Sequence, residues 1–165
     1  MDSQLYDLAA AVGRALKARG WMLVTAESCT GGWVSEAVTM VPGSSEWFER
    51  GFVTYTNVAK QEMLGVSTAT LAASGAVSEA TVREMVSGAL AHSHAHVALA
   101  VSGVAGPSGG TPAKPVGMVC LAWGVRAGDV QAVTRHFPGD REAVRRRSVI
   151  EALEGVLGIV RNGQA

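Results

Sequence analysis

Leu5, Leu8, Ala9, Val12 and Leu16 recur at helical spacing, so Leu5 to Arg19 is predicted as an amphipathic helix ended by Gly20. Trp21 to Ala26 follows as a short apolar, strand-like run. The helical period resumes at Val34, Ala37, Val38 and Val41, and Pro42-Gly43-Ser44-Ser45 breaks it. Phe52 to Tyr55 predicts a second strand, followed by a helix carrying Lys60, Met63 and Leu64. Ser78 is placed to cap a further helix, with Val82, Met85, Val86, Ala89 and Leu90 on its buried stripe. Val97 to Val101 is apolar at every position, the pattern of a strand covered on both faces. Val116 to Val125 and Val130 to Phe137 predict a hairpin turning at Gly128-Asp129. Asp140 caps a last helix through Val144, Val149, Ile150, Leu153 and Leu157. Strands alternating with helices and ending in a hairpin give the α/β class. The expected architecture is a single-domain three-layer α/β/α sandwich, spanning residues 1–165, with a mixed, partly parallel sheet.

Composition narrows the partners. Lys and Arg number 14 against 14 Asp and Glu, for a formal net charge of +0. A nucleic-acid binder would carry a basic excess to meet phosphates, so none is expected as partner. Hydrophobic residues at 48% and charged residues at 17% also exclude a disordered chain. The start Met1-Asp2-Ser3-Gln4 lacks the basic and apolar regions of a secretion signal, and no apolar run is long enough to span a bilayer. Cys29 and Cys120 form no framework of paired cysteines. The expected compartment is the cytoplasm, with no membrane partner. Glycine stands out, at 20 of 165 residues.

Two glycine-rich turns fall at predicted strand ends, where open α/β sheets gather ligands. The first is Ala26-Glu27-Ser28-Cys29-Thr30-Gly31-Gly32. It sets hydroxyls between a strand and a helix start, where free N–H groups and the helix dipole attract an oxyanion or phosphate. Ser28 is either a helix cap or a nucleophile there. As a nucleophile it needs a base. Lys60 stands near a helix start, where the dipole gives a cation no reason to be. It is either a solvated surface lysine or, buried beside Ser28, a neutral amine able to act as that base, with Tyr55 relaying or orienting the proton. The second turn, Ser102 to Gly110, offers amides and a hydroxyl for a phosphate or ribose, and Arg141 a bidentate cation. Arg145, Arg146 and Arg147 read as a solvated helix face. His92 and His96 could share a helix face, but no third ligand completes a metal motif, and no metal is expected.

These motifs occur in a recognisable order. Ala26 to Gly32, Gly51-Phe52-Val53-Thr54-Tyr55-x-Asn57-x-Ala59-Lys60, Gly75-Ala76-Val77-Ser78, Ser102-Gly103-Val104-Ala105-Gly106-Pro107, Pro115-Val116-Gly117 and Pro138-Gly139-Asp140-Arg141 together resemble the CinA C-terminal domain family. The resemblance runs from about Leu5 to the last helix. It implies hydrolysis of the carboxamide of nicotinamide mononucleotide to nicotinate mononucleotide and ammonia, in pyridine-nucleotide recycling. It implies Ser28 as nucleophile, Lys60 as base and Tyr55 as an assisting group. N–H groups near Thr30 and Gly31 face the oxyanion, and Glu27 and Gly32 of the same motif are counted in the site. Ser102, Gly103, Gly106 and Arg141 are expected to hold the phosphate and ribose of a small phosphorylated nucleotide. No cofactor is implied, and a homo-oligomer, favouring a dimer, is expected. The pyrophosphatase domain of full-length CinA proteins is not expected here. Cys29 remains a rival nucleophile on intrinsic reactivity, and a non-catalytic nucleotide-binding module remains the alternative function.

Overall fold

The computed structural model describes residues 1–162. Its elements run α1 (Ser3–Arg19), β1 (Leu23–Glu27), α2 (Trp33–Thr39), a short 3-10 turn (Ser44–Glu46), β2 (Phe48–Val53), α3 (Asn57–Leu64), α4 (Thr68–Ser74), α5 (Glu79–Ala91), β3 (Val97–Gly103), β4 (Met118–Val125), β5 (Val130–His136) and α6 (Arg141–Arg161). The five strands form one sheet in the order β2-β1-β3-β4-β5. β1 pairs parallel with both β2 and β3, while the β3–β4 and β4–β5 pairs are antiparallel. The predicted three-layer architecture with a mixed sheet is therefore the observed one.

Strand alternation sorts the core into two. Leu23, Val97, Leu99, Val101, Leu121 and Trp123 face α1, α2 and α6. Val24, Ala26, Ala98, Ala100, Cys120 and Ala122 face α5 and the short helices beside it. The second face is mostly alanine, so α5 lies close to the sheet: a Cβ on Gly124 of β4 would meet Val86 Cγ1 of α5 at 2.9 Å. Caps fall where the chain chemistry places them: Asp2, Thr56, Ser67, Ser78 and Asp140 each accept a backbone N–H in the first turn of a helix. No helix among the described residues is long and apolar enough to cross a membrane.

The structure departs from the sequence expectation at β2, which begins at Phe48 and ends at Val53, leaving Thr54 and Tyr55 beyond the strand. β2 is an edge strand containing Glu49, Arg50 and Gly51, so it shows no apolar run to detect. Helix α4 was not expected. It is one short run of threonine, alanine and serine around a single buried Leu71. Trp21 and Met22 lie before β1, where the Trp21 ring stacks on His96 at 6.5 Å.

The topology makes a crevice. From β1 the chain passes by α2 on one face to β2, then by α3 to α5 on the other face to β3, on the opposite side of β1. The carboxyl ends of these three parallel strands share one edge of the sheet, and connections diverging to opposite faces open a cleft there. β5 runs in the same direction, so the start of α6 arrives at that edge too.

Candidate active site

The turn after β1 is tied down on both sides. Ser28 N–H donates to Val101 O of β3 at 3.0 Å, and Thr54 N–H donates to Glu27 O at 2.8 Å. Gly31 and Gly32 take φ of +59° and +104°, which swings the chain sharply from β1 into α2 at little cost for glycine. Ser28 is 7% exposed and lines a pocket of about 270 Å³ with Cys29, Tyr55, Lys60, Ser102, Gly103 and Arg141.

Lys60 reaches this pocket from the first turn of α3, which Thr56 caps. Its side chain is 1% exposed. Nζ lies 3.0 Å from Ser28 Oγ and donates to Thr54 O at 2.9 Å. No carboxylate among the described residues pairs with it. Burial therefore pushes the Lys60 pKa below its ordinary value, because the ammonium loses solvation without gaining a counter-charge. The two side chains, 32 positions apart, meet because β1 and β2 are neighbours in the sheet.

Cys29 sits beside Ser28 but in a different environment. Burial pushes its thiol up to about 12, so it is protonated at neutral pH. The end of β3 closes over it: a Cβ on Gly103 would meet Val119 Cγ2 at 2.7 Å and Cys29 Sγ at 3.2 Å, so only glycine fits.

Other residues of the motif have tasks different from those expected. Glu27 is fully buried, and its carboxylate accepts from Thr30 Oγ1 (2.6 Å), Val34 N (2.9 Å), Ser35 N (2.9 Å) and Ser35 Oγ (2.7 Å). It caps α2 from the end of β1, so neither Glu27 nor the Thr30 hydroxyl is free for substrate. Replacing one carboxylate oxygen by an amide would set a donor against donors. Glu27→Gln is thus expected to cost about 2–4 kcal/mol of stability, read as a lowered denaturant midpoint. An unchanged midpoint would contradict this capping role.

The N–H of Gly31 is also committed, donating to Ser28 O at 3.0 Å. This corrects its expected role as an oxyanion donor. The N–H groups of Cys29 and Thr30 donate to no other residue's acceptor among the described residues. Tyr55 is 58% exposed, and its hydroxyl accepts from Arg141 Nη2 at 3.0 Å. It lines the pocket without bonding Lys60 or Ser28. Arg141 also donates to Gly106 O at 2.9 Å, so it ties the start of α6 to the loops after β2 and β3 over the pocket mouth. Ser102 is buried at the pocket wall, and Gly106 takes φ +83° in the loop beyond it.

Arg145 and Arg146 do not form the solvated face expected. Arg145 Nε donates to Cys29 O at 3.0 Å and Nη2 to Thr30 O at 3.1 Å. Arg146 pairs with Asp2 at 2.7 Å and holds that carboxyl at about 2. His96 Nδ1 accepts from Met22 N at 2.9 Å, and His92 Nδ1 lies 2.8 Å from Gly88 O. Both rings are thus bound to the backbone, away from the pocket. Among the described residues, no three His, Cys, Asp or Glu side chains converge as metal ligands.

Residues 5–160 match the CinA C-terminal domain family. The chain belongs to the CinA family. Relatives of this CinA domain include the nicotinamide-nucleotide amidohydrolase PncC of Escherichia coli K12, 54% identical over 155 residues and 93% of each chain. Another is the Pseudomonas putida protein of the same name, 55% identical over 150 residues, covering 91% of this chain and 93% of its own. Among solved structures, the competence damage-inducible protein A of Klebsiella pneumoniae subsp. pneumoniae MGH 78578 superposes with a TM-score of 0.93. It is 42% identical, over 97% of this CinA chain and 99% of that one.

Proposed function

We propose that this protein hydrolyses the carboxamide of nicotinamide mononucleotide to nicotinate mononucleotide and ammonia, through a Ser28 nucleophile and a Lys60 base. The observation that carries the chemistry is the buried Lys60 Nζ, without a carboxylate partner among the described residues, at 3.0 Å from Ser28 Oγ. The substrate is suggested by the nicotinamide-nucleotide amidohydrolases that are more than 50% identical over more than 90% of the chain.

Neutral Lys60 takes the Ser28 proton as Oγ attacks the amide carbon. The developing oxyanion meets the uncommitted N–H groups of Cys29 and Thr30. The tetrahedral intermediate collapses with transfer of the Lys60 proton to the leaving nitrogen, releasing ammonia and an ester on Ser28. Water, losing its proton to Lys60, then attacks the ester; the proton returns to Ser28 as nicotinate mononucleotide departs. Cys29 is a poor competitor because its thiol stays protonated.

Arg141, Ser102, Gly103 and Gly106 form the nucleotide-binding side of this reading. Tyr55 positions Arg141 at the mouth through their hydrogen bond. Ammonia release from nicotinamide mononucleotide by the purified protein tests the function, with free nicotinamide as the comparison that reports the need for the phosphoribosyl group. Binding without turnover would overturn it in favour of a nucleotide-binding module. Loss of one charged phosphate contact in Arg141→Ala is expected to raise KM about 10–100-fold with a far smaller change in kcat. A kcat lost at unchanged KM would contradict phosphate binding by Arg141.

A further inference from the structure

The turn that carries Ser28 has a partner outside the pocket. Arg145 lies one helical turn beyond Arg141, so the two share a face of α6. Its guanidinium bridges two successive carbonyls of the turn, Cys29 O and Thr30 O, and sits 5.4 Å from the centroid of the Trp33 ring. Arg135 and Arg146 pair with carboxylates, but Arg145 pairs with none among the described residues. A half-buried cation is here devoted to the backbone around the nucleophile.

The consequence follows from peptide geometry. In a trans peptide the C=O of one residue and the N–H of the next point in opposite directions. Holding Cys29 C=O toward Arg145 turns the Thr30 N–H the other way, and that N–H is among the unpartnered ones in a fully buried residue. The next peptide is held without Arg145 as well: Thr30 C=O accepts from Trp33 N–H at 3.0 Å, and Gly31 N–H closes the turn on Ser28 O. The Cys29–Thr30 peptide has no partner but Arg145 among the described residues on its C=O or its N–H, so without the guanidinium it is free to rotate. A fork of two N–H donors on a planar group removes that freedom, which a single ammonium cannot do.

We propose that Arg145 is a positioning residue that preorganises the oxyanion-binding N–H of Thr30 by clamping the carbonyls on the far side of the turn. This rests on the reading of Ser28 as nucleophile. The clamp touches neither substrate nor Lys60, so its loss weakens transition-state stabilisation and leaves substrate binding and the protonation of the base as they were.

The test compares Arg145→Ala and Arg145→Lys with the unaltered enzyme, using nicotinamide mononucleotide as substrate. Loss of one oriented oxyanion donor corresponds to a kcat reduced about 100-fold, with KM within about threefold and the acid limb of the pH profile in place. Millimolar guanidinium is expected to restore part of the rate to Arg145→Ala and to add nothing to the unaltered enzyme. Arg145→Lys, which preserves the charge, keeps the experiment informative if the alanine variant does not fold, and is expected to stay well below the unaltered enzyme. Full kcat in either variant overturns the proposal. So does a raised KM at unchanged kcat, which would make Arg145 a substrate contact, or a displaced acid limb, which would make it act through Lys60. Ser28→Ala run alongside separates the two claims. If it keeps turnover, the nucleophile reading fails; if it is inactive while Arg145→Ala is fully active, only the clamp fails.

Discussion

Ser28→Ala is expected to lose turnover of nicotinamide mononucleotide by on the order of 10⁴-fold or more while unfolding at nearly the same temperature as the unaltered protein. The two halves of this expectation have separate causes. The Oγ is the atom that forms the ester, so its removal ends covalent catalysis, and what survives is binding and oxyanion stabilisation alone. The fold, in contrast, depends on the Ser28 backbone, whose N–H donates to Val101 O and whose carbonyl receives Gly31 N–H, and alanine keeps both. Cys29→Ala is the matched control. Its thiol is protonated at neutral pH and buried, and alanine leaves the turn backbone unchanged, so most activity is expected to remain. An active Ser28→Ala with an inactive Cys29→Ala would transfer the nucleophile to the neighbouring position.

Lys60→Met carries the second large effect. Methionine fills a similar volume but offers no lone pair for the serine proton, so kcat/KM is expected to fall about 10²–10⁴-fold. Lys60→Arg is not expected to rescue it, because a guanidinium stays charged and cannot serve as base. The unaltered enzyme has a pH profile of defined sign. Burial lowers the folded-state pKa of Lys60, so the amine is neutral above that lowered value and protonated below it. Activity therefore rises with pH through an acid limb placed below the ordinary lysine range, and Lys60→Met lacks that limb. The same linkage acts on stability. Between the lowered folded value and the unfolded value, about 10.4, the unfolded chain binds more protons, so Lys60 favours folding as pH rises through that window. A Lys60→Met enzyme with full kcat/KM, measured by ammonia release, would remove the base from the mechanism.

The parts of this fold legible in the sequence are those buried on both faces. β1, β3 and β4 are apolar runs because helices cover each side, and α1, α5 and α6 show clear stripes. β2 starts four residues and ends two residues before the expected run because an edge strand needs no such run, and α4 is too short and too small in its side chains to show a period. The first glycine turn was legible as chemistry, but the assignment of its members was not. Glu27 resembles a site carboxylate until strand alternation is followed one step further: Leu23, Thr25 and Glu27 share a face, and that face lies under the start of α2. Arg145 reads with Arg146 and Arg147 as a solvated run, although its spacing of four from Arg141 places those two on one side of α6. The meeting of Ser28 and Lys60 depends on the parallel pairing of β1 with β2, a long-range fact that neither local motif contains.

The most direct measurement of the central claim is an NMR titration of the Lys60 side chain in the folded enzyme, its signal assigned by its absence from Lys60→Met. A neutral Lys60 base requires a midpoint clearly below 10.5, coincident with the acid limb of kcat/KM for nicotinamide mononucleotide. A Lys60 that titrates at or above 10.5, while the enzyme remains fully active at neutral pH, would contradict a neutral lysine acting on Ser28.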